Sequence, residues 1–401
     1  MAGGDGVRGT QVNRGTRWSA LIAGAAAVLA GCTAPSAIAE PPAPPATPPA
    51  PTVRVDPPDG ATDVAPSEPI TIRATNGRLT GVVLSDDEGG TLQGTVSSDG
   101  LTWTATAPPK YDTAYRFTGT AAGAGGTAPV SGAFTTADPA RLVTASTNIA
   151  EGSTVGIAAP IEVRFNRKIA DADRATAERA LEISTSTPVI GSWAWLPDTA
   201  SGSRVHWRPQ DYWPTGTTVS VTAHLYGVDL GAAGFGAKDL TTHFTIGRSQ
   251  IVKADSRTHR LVVVRDGQVV ADLPASYGAD SDARRITRTG IHIVMSRTPV
   301  ELMTNLAFGY QDVPMRWAVR ISNNGEFIHA NPASNSVQGR RNVTHGCINL
   351  NTKNAKAYYD TVLYGDPVEV VGTRVPLSAA DGDVYDWTIP WEKWTAMSAL
   401  H

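Results

Sequence analysis

Residues 53–248 repeat a pattern, and that repeat constrains the fold more than any other feature of the chain. One stretch opens DPPDGATDVAPSEPITIRA and another NIAEGSTVGIAAPIEVRFN. Each continues into a segment centred on a tryptophan, Trp103 in LTWTATAPP and Trp207 in RVHWRPQ, and each closes on a similar one, around Phe134 in GAFTTAD and Phe244 in THFTIGR. These segments are short, rich in Val, Thr and Ile, and alternate apolar with polar residues, which is the two-residue period of half-buried strands. Clusters of Gly, Pro, Asp and Ser cut them at turn spacing. The 39 glycines and 28 prolines of the chain suit many turns. A duplicated, strand-rich unit of this size predicts two tandem β-sandwiches, at 53–137 and 138–248. One interruption, DADRATAERALEI from Asp171 to Ile183, has helical periodicity and predicts a short helix. His206, His224 and His243 fall in the predicted strands and read as ordinary sheet residues, so the modules read as spacers or wall-contacting arms.

At 401 residues the chain is too long for one ordinary domain. A net charge of -3 gives no concentrated basic face and argues against nucleic acid as a partner. Arg8, Arg14 and Arg17 precede an apolar run, SALIAGAAAVLA at 19–30, which is too short to span a membrane comfortably. That is the layout of a secretory signal. It runs into Leu29-Ala30-Gly31-Cys32, which resembles the bacterial lipobox, in which the cysteine is lipidated and heads the mature protein. The competing reading is cleavage after Ala37-Ile38-Ala39. Segment 1–32 is thus read as a lipoprotein signal ending at Cys32, with the product exported and lipid-anchored at the outer face of the cytoplasmic membrane or in the cell wall. Residues 33–52 form a linker in which seven of the eleven positions from Pro41 to Pro51 are proline. Such a tract is extended and semi-rigid, a stalk reaching roughly 60 Å.

The segment 249–373 has another texture. QIVKADSRTHRLVVVRDGQVVADLPASYG reads as a hairpin with its turn at Asp266-Gly267. A strand is predicted at Thr289–Ser296, a helix at Thr352–Val362 and a strand at Pro367–Val371. Between them lies the stretch that carries chemistry: Glu326-Phe327-Ile328-His329-Ala330, then Thr344-His345-Gly346-Cys347-Ile348-Asn349. Of the two cysteines, Cys32 belongs to the leader, so Cys347 is the sole thiol of the folded part. A thiol is a poor nucleophile until deprotonated, and a neighbouring imidazole can take its proton to leave a thiolate–imidazolium pair. On a strand, His345 and Cys347 would share a face. Gly346 between them would let a substrate or another backbone approach. The residues alone leave cysteine catalysis, an inert core cysteine, and a zinc site of Cys347, His345 and His329 all open, although closed zinc sites prefer four ligands and more than one cysteine.

The string His-x14-Thr-His-Gly-Cys-x-Asn resembles the signature of the L,D-transpeptidase (YkuD-type) catalytic domain at every position. The order of parts is similar to the mycobacterial type: an anchored N-terminus, two immunoglobulin-like domains, the catalytic domain, and a Trp-rich extension at 374–401 (Asp386-Trp387-Thr388-Ile389-Pro390-Trp391-Glu392-Lys393-Trp394). The resemblance implies a mostly β, multidomain chain whose third domain is a β-sandwich with a short helix. It makes Cys347 the nucleophile, His329 the general base and His345 a second catalytic-site histidine. It implies that the Ala330 carbonyl orients the base, where close relatives carry Ser, and that Gly346 and Cys347 supply oxyanion N–H groups. Asn349, Tyr310 on a flap, and Asn324-Gly325 on a strand edge would contact substrate. The implied activity is 3→3 cross-linking of peptidoglycan stem peptides, with carbapenem β-lactams as inhibitors and no metal or other cofactor. An L,D-carboxypeptidase or endopeptidase on the same fold, or a non-catalytic wall-binding lipoprotein, are the alternatives.

Overall fold

A computed structural model describes residues 46–381 and 384–401. The leader, Cys32 and linker residues 33–45 lie outside the described residues. From residue 52 onward the predicted alternation becomes strands. In Thr71–Thr75, Ile72 and Ala74 turn inward while Arg73 stays exposed. The first module stacks a four-stranded sheet (Thr52–Asp56, Thr71–Thr75, Thr102–Ala105, Gly94–Val96) on a five-stranded one (Ala61–Val64, Gly126–Thr136, Ala114–Gly123, Arg78–Asp86, Thr91–Leu92). The second has two four-stranded sheets, Ala145–Thr147, Ile161–Phe165, Arg204–Pro209, Gly191–Leu196 and Ser153–Val155, Leu240–Ile246, Thr218–Ala223, Leu181–Thr185.

Both modules use the same device at the repeated tryptophan. Gly94 pairs with Ala105 and Gly191 with Pro209, each two residues past the tryptophan of its module. A Cβ on Gly94 would stand 2.1 Å from the Trp103 ring, and one on Gly191 would stand 1.9 Å from the Trp207 ring. Each glycine is the space into which an indole is packed, and Trp103 and Trp207 are both buried.

The helix of the second module runs Asp171–Arg179, shorter than the pattern predicts. Leu181 and Ile183, the last apolar positions of that pattern, belong to a strand paired with Thr218–Ala223. Sheet pairing overrides local helical periodicity there. The bland reading of the histidines also needs correction at His206. His224 lies just beyond its strand and His243 is on one, both exposed beside a glutamate. His206 is fully buried, with Nδ1 2.7 Å from Asp386 and Nε2 3.4 Å from Glu162. Burial alone would push its pKa down, but Asp386 and Glu162 outweigh that and hold it up at about 9.

The third domain is built from β1 (Gln250–Asp255), β2 (Arg260–Arg265), β3 (Gln268–Pro274), β4 (Gly290–Ile293), β5 (Ser296–Asn305), β6 (Tyr310–Arg320), β7 (Phe327–Ala330), β8 (Ile348–Leu350), α1 (Thr352–Tyr359) and β9 (Pro367–Val371). One sheet has the order β3-β2-β1-β9-β4 and the other β5-β6-β7-β8. Asp266 and Gly267 both have positive φ, 47° and 79°, as the tight β2–β3 turn requires. Between the sheets lie Val252, Leu261, Val319, Ile328, Ile348 and Val368, and Ala355 and Tyr358 of α1 pack on the same core. The predicted strand at Thr289–Ser296 resolves into β4 and the start of the long β5–β6 hairpin. The helix stops at Tyr359, before the expected Val362.

Two features fix this domain to the second sandwich. Arg248 donates to both oxygens of the buried Asp366 at 2.7 Å, and the Asn148 amide donates to the Tyr364 hydroxyl at 2.7 Å. The Trp-rich extension then returns to the sandwich. Arg208 lies over the rings of Trp387, Trp391 and Trp394, 4.8–5.3 Å from their centroids. Trp394 is fully buried and donates to the Ser192 carbonyl, while the Ala399 N–H reaches the buried Glu178 carboxylate at 2.7 Å.

Candidate active site

Strand β7 presents His329, and the parallel pairing of β7 with β8 sets His329 opposite Asn349. Period-two alternation turns Phe327 and His329 to one face and Ile328 to the core. His329 is buried and its Nδ1 lies 3.0 Å from the Ala330 carbonyl oxygen. A carbonyl oxygen can only accept, so Nδ1 carries the proton and Nε2 keeps a lone pair. The expected backbone orientation of the imidazole by Ala330 is therefore present in the geometry, and it is indifferent to the side chain at 330.

Cys347 does not sit on a strand. Residues 345 and 346 form a bend that leads into β8, and Gly346 has φ +121°, which an L side chain rarely adopts. The expected side-by-side placement of His345 and Cys347 on one strand is thus overturned, because the glycine breaks the extended backbone between them. The bend is held from several sides. Thr287 Oγ1 donates to the Gly346 carbonyl at 2.7 Å, Arg285 Nε to the Thr344 carbonyl at 3.1 Å, and Thr344 Oγ1 to the Cys347 carbonyl at 2.6 Å. The Gly346 N–H donates to Thr344 Oγ1 at 3.2 Å, so of the two amides expected to meet an oxyanion, one is engaged inside the loop. Asn324 and Gly325 lie in the turn between β6 and β7, not on a strand edge, and the Gly325 carbonyl accepts from the thiol at 3.7 Å.

Two cavities meet at Cys347. One of about 450 Å³ is largely apolar and is bounded by His329, Asn349, Ser334, Val337, Met315 and Tyr310. The other, of about 360 Å³, is polar and is bounded by Arg284, Arg288, Arg320, Glu326, Asn324 and Gly325. Met303, Tyr310, His345 and Cys347 border both. The roof is the β5–β6 hairpin. At its tip Phe308 packs on the His345 ring with centroids 4.6 Å apart, Tyr310 lies 5.5 Å from the same ring, and Arg284 covers Phe308 at 5.1 Å. His345 is exposed at this mouth rather than bonded to the sulfur. Asn349 is bound through its backbone to Ser276, lines the apolar cavity, and its buried side-chain oxygen has no protein partner among the described residues.

Electrostatics set the resting state. Cys347 is half-buried, and burial pushes the thiol up to about 12; the Phe327 N–H and Arg320 oppose this, and the Glu326 charge adds to it. Burial brings the His329 imidazole down to about 4, against its bond to Ala330. Burial and the Arg285 charge lower His345 as well. Burial in the cleft therefore favours a neutral thiol and a neutral imidazole, not the ion pair expected from the sequence. Among the described residues no group of three or more His, Cys, Asp or Glu side chains is placed to hold a metal ion. Sequence reasoning missed Glu326, Thr287, Phe308 and Arg284. Glu326, three residues before His329, and Phe308, inside the expected flap Met303–Trp317, stood within stretches already singled out.

A family model described as the L,D-transpeptidase catalytic domain matches residues 249–370, and one for a bacterial Ig domain matches 61–229. L,D-transpeptidase 5 of Mycobacterium tuberculosis is 50% identical over 345 residues, covering 86% of this chain and 76% of that protein. The chain belongs to the L,D-transpeptidase family. L,D-transpeptidase 2 of the same species is 39% identical, covering 85% of this chain and 83% of that one. A solved structure of the L,D-transpeptidase LdtMt1 in complex with imipenem is 35% identical, covers 56% of this chain and 97% of that one, and aligns with a TM-score of 0.47. The Ig-domain match spans parts of both sandwiches, and the catalytic match contains the whole constellation around Cys347.

Proposed function

We propose that the chain forms 3→3 peptidoglycan cross-links by acyl transfer through Cys347. Sγ attacks the carbonyl carbon of the third residue of a tetrapeptide stem while His329 Nε2 takes the thiol proton. The bond to the terminal D-Ala breaks, its amine receives that proton, and a thioester remains. The side-chain amine of a second stem then attacks the thioester. It gives a proton to His329, an amide forms, and sulfur leaves as the thiol. The observation that carries this reading is the His329–Ala330 bond, which fixes the tautomer and leaves one basic nitrogen for the cleft that Cys347 borders. The two cavities that meet at the sulfur give separate room for donor and acceptor stems.

Incubation with disaccharide-tetrapeptide tests the reading. The expected product by mass spectrometry is a dimer lacking one D-Ala, absent for Cys347→Ala. Hydrolysed tripeptide with no dimer would assign the chain to carboxypeptidase chemistry instead. Carbapenems present a strained carbonyl to the same sulfur, so intact mass is expected to rise by one inhibitor unit on Cys347. For placement, the reading is a lipid anchor at Cys32 with the Pro-rich tract as stalk. Cys32→Ser is expected to release the protein from membranes, and a mature N-terminus at Glu40 would reject the anchor.

A further inference from the structure

A buried carboxylate lies behind the nucleophile, and the transfer chemistry above gives it no part. Glu326 is 4% exposed. Its Oε1 accepts from the Arg288 N–H at 2.8 Å, its Oε2 accepts from the Ser322 hydroxyl at 3.2 Å, and His292 Nδ1 lies 3.9 Å away. His292 is fully buried on β4, with its ring nitrogens 3.2 and 2.9 Å from the carbonyl oxygens of Ile321 and Arg288. The Glu326 carbonyl also accepts from the Ile321 N–H at 3.0 Å, closing the β6–β7 turn. On its far side the same side chain packs against Gly346. A Cβ built there would lie 3.6 Å from Glu326 Cγ and 3.8 Å from Oε1.

One carboxylate therefore joins three parts: the turn that carries Asn324 and Gly325, the 286–292 segment, and the bend that carries Cys347. Burying a charged group is costly unless it is bonded; here Oε1 has the Arg288 N–H, and Oε2 shares the one Ser322 hydroxyl proton with Asn324 Oδ1. A glutamine could accept from the Arg288 N–H with its oxygen and donate from its amide nitrogen to Ser322 Oγ, whose hydroxyl also reaches Asn324 Oδ1, all without the charge. The sequence spends a buried charge where a neutral amide would serve the packing, and that points to a use for the charge. We propose that Glu326 is a positioning residue of the active site, which pins the Asn324–Gly325 turn to the Gly346–Cys347 bend and keeps a negative charge behind the sulfur. The charge opposes thiolate formation until a bound acyl donor brings its carbonyl to the sulfur, so that the thiol is protected from small electrophiles in the empty cleft. The groups that bear on the sulfur are Glu326 against the thiolate, Arg320 and the Phe327 N–H for it, Tyr310 across the cleft, and the two histidines at its walls. On Glu326 itself burial pushes the pKa up, and His292, the Arg288 N–H and guanidinium, and the Ser322 hydroxyl oppose this and favour its charged form.

This inference rests on Cys347 being the nucleophile, and its test reads the thiol directly, whatever the acceptor. Iodoacetamide labelling of Cys347 is followed from pH 5 to 10 in wild type, Glu326→Gln and Ser322→Ala, with carbapenem acylation measured beside it. Glu326→Gln is expected to label roughly three- to tenfold faster at pH 7, with its pH profile displaced to lower pH. Ser322→Ala keeps the charge but loosens the turn, so its labelling profile should follow wild type while acylation slows. Superimposable labelling profiles for wild type and folded Glu326→Gln would overturn the proposal. So would unchanged acylation in Ser322→Ala. Should Glu326→Gln not fold, Ser322→Ala alone decides the positioning half, and a shift in its labelling profile rejects the separation of charge from position. Loss of labelling in all three proteins would instead remove Cys347 from the chemistry.

Discussion

In the proposed mechanism the imidazole of His329 is useful as a base because it is hard to protonate. Its folded pKa is lowered to about 4 by burial, so it is neutral and competent above that pH and is lost only as the pH falls through it. The acid limb of carbapenem acylation is therefore expected well below pH 6, nearer 4 to 5, as read by intact mass against pH. A limb near 6.5 would mean that an exposed imidazole is the base. Replacing His329 by Ala is expected to slow acylation by about 10²–10⁴, the span of a positioned acid–base group. His345→Ala should cost less, because that ring stands at the cleft mouth under Phe308 and Tyr310. Cys347 and His329 stood out in the sequence as candidates because few residue types can do the proposed chemistry and their spacing resembles a known signature. Their protonation was not legible. The same pair is an ion pair or a neutral pair according to burial, and burial at 329 comes from strands that are distant in sequence.

At the scale of elements, the hairpin over the site acts through its tip. Phe308 is held between His345 and Arg284 by ring and cation contacts. Such contacts are worth about 0.5–1.5 kcal/mol each. Phe308→Ala is expected to loosen the roof, raising KM for the stem substrate several-fold with a smaller change in kcat; equal loss in both would place the residue in the chemistry itself. The period-two signal found the strands, but it failed at 345–347, where Gly346 bends the chain, and at 181–183, where a neighbouring strand claims residues that look helical. Both failures come from partners outside the window that a local pattern can see. The glycines beside the repeated tryptophans test the packing argument. Gly191→Ala puts a methyl inside the van der Waals envelope of Trp207, and a loss of about 1–3 kcal/mol is expected in urea unfolding. A change near zero would show that the indole can swing aside.

Across the whole molecule, charge that no single domain can balance is balanced between domains. His206 belongs to the second sandwich and Asp386 to the extension. Removing His206 leaves Glu162 and Asp386 buried without their shared cation, and His206→Ala is expected to cost roughly 3 kcal/mol. The pH dependence has a definite sign. With a folded pKa of about 9 against an ordinary 6.5, the His206 contribution is fully present below pH 6.5 and is lost as the pH rises through 9. Glu162, held at about 2 against an ordinary 4.5, contributes above pH 4.5 and loses its contribution as the pH falls through 2. The gap in melting temperature between wild type and His206→Ala should therefore be widest between pH 4.5 and 6.5 and narrow by pH 10. The bonds that hold the extension join residues 180, 202 and 221 positions apart, at Asp386, Trp394 and Ala399. These residues are synthesised long after the sandwich they complete. A growing chain that has just finished residue 370 already possesses every member of the Cys347 constellation, while His206, Glu178 and Arg208 still await their partners in the extension. Maturation of the middle domain is then timed by the arrival of the final segment, and a ribosome stalled near residue 380 would hold a complete catalytic motif on an unfinished scaffold.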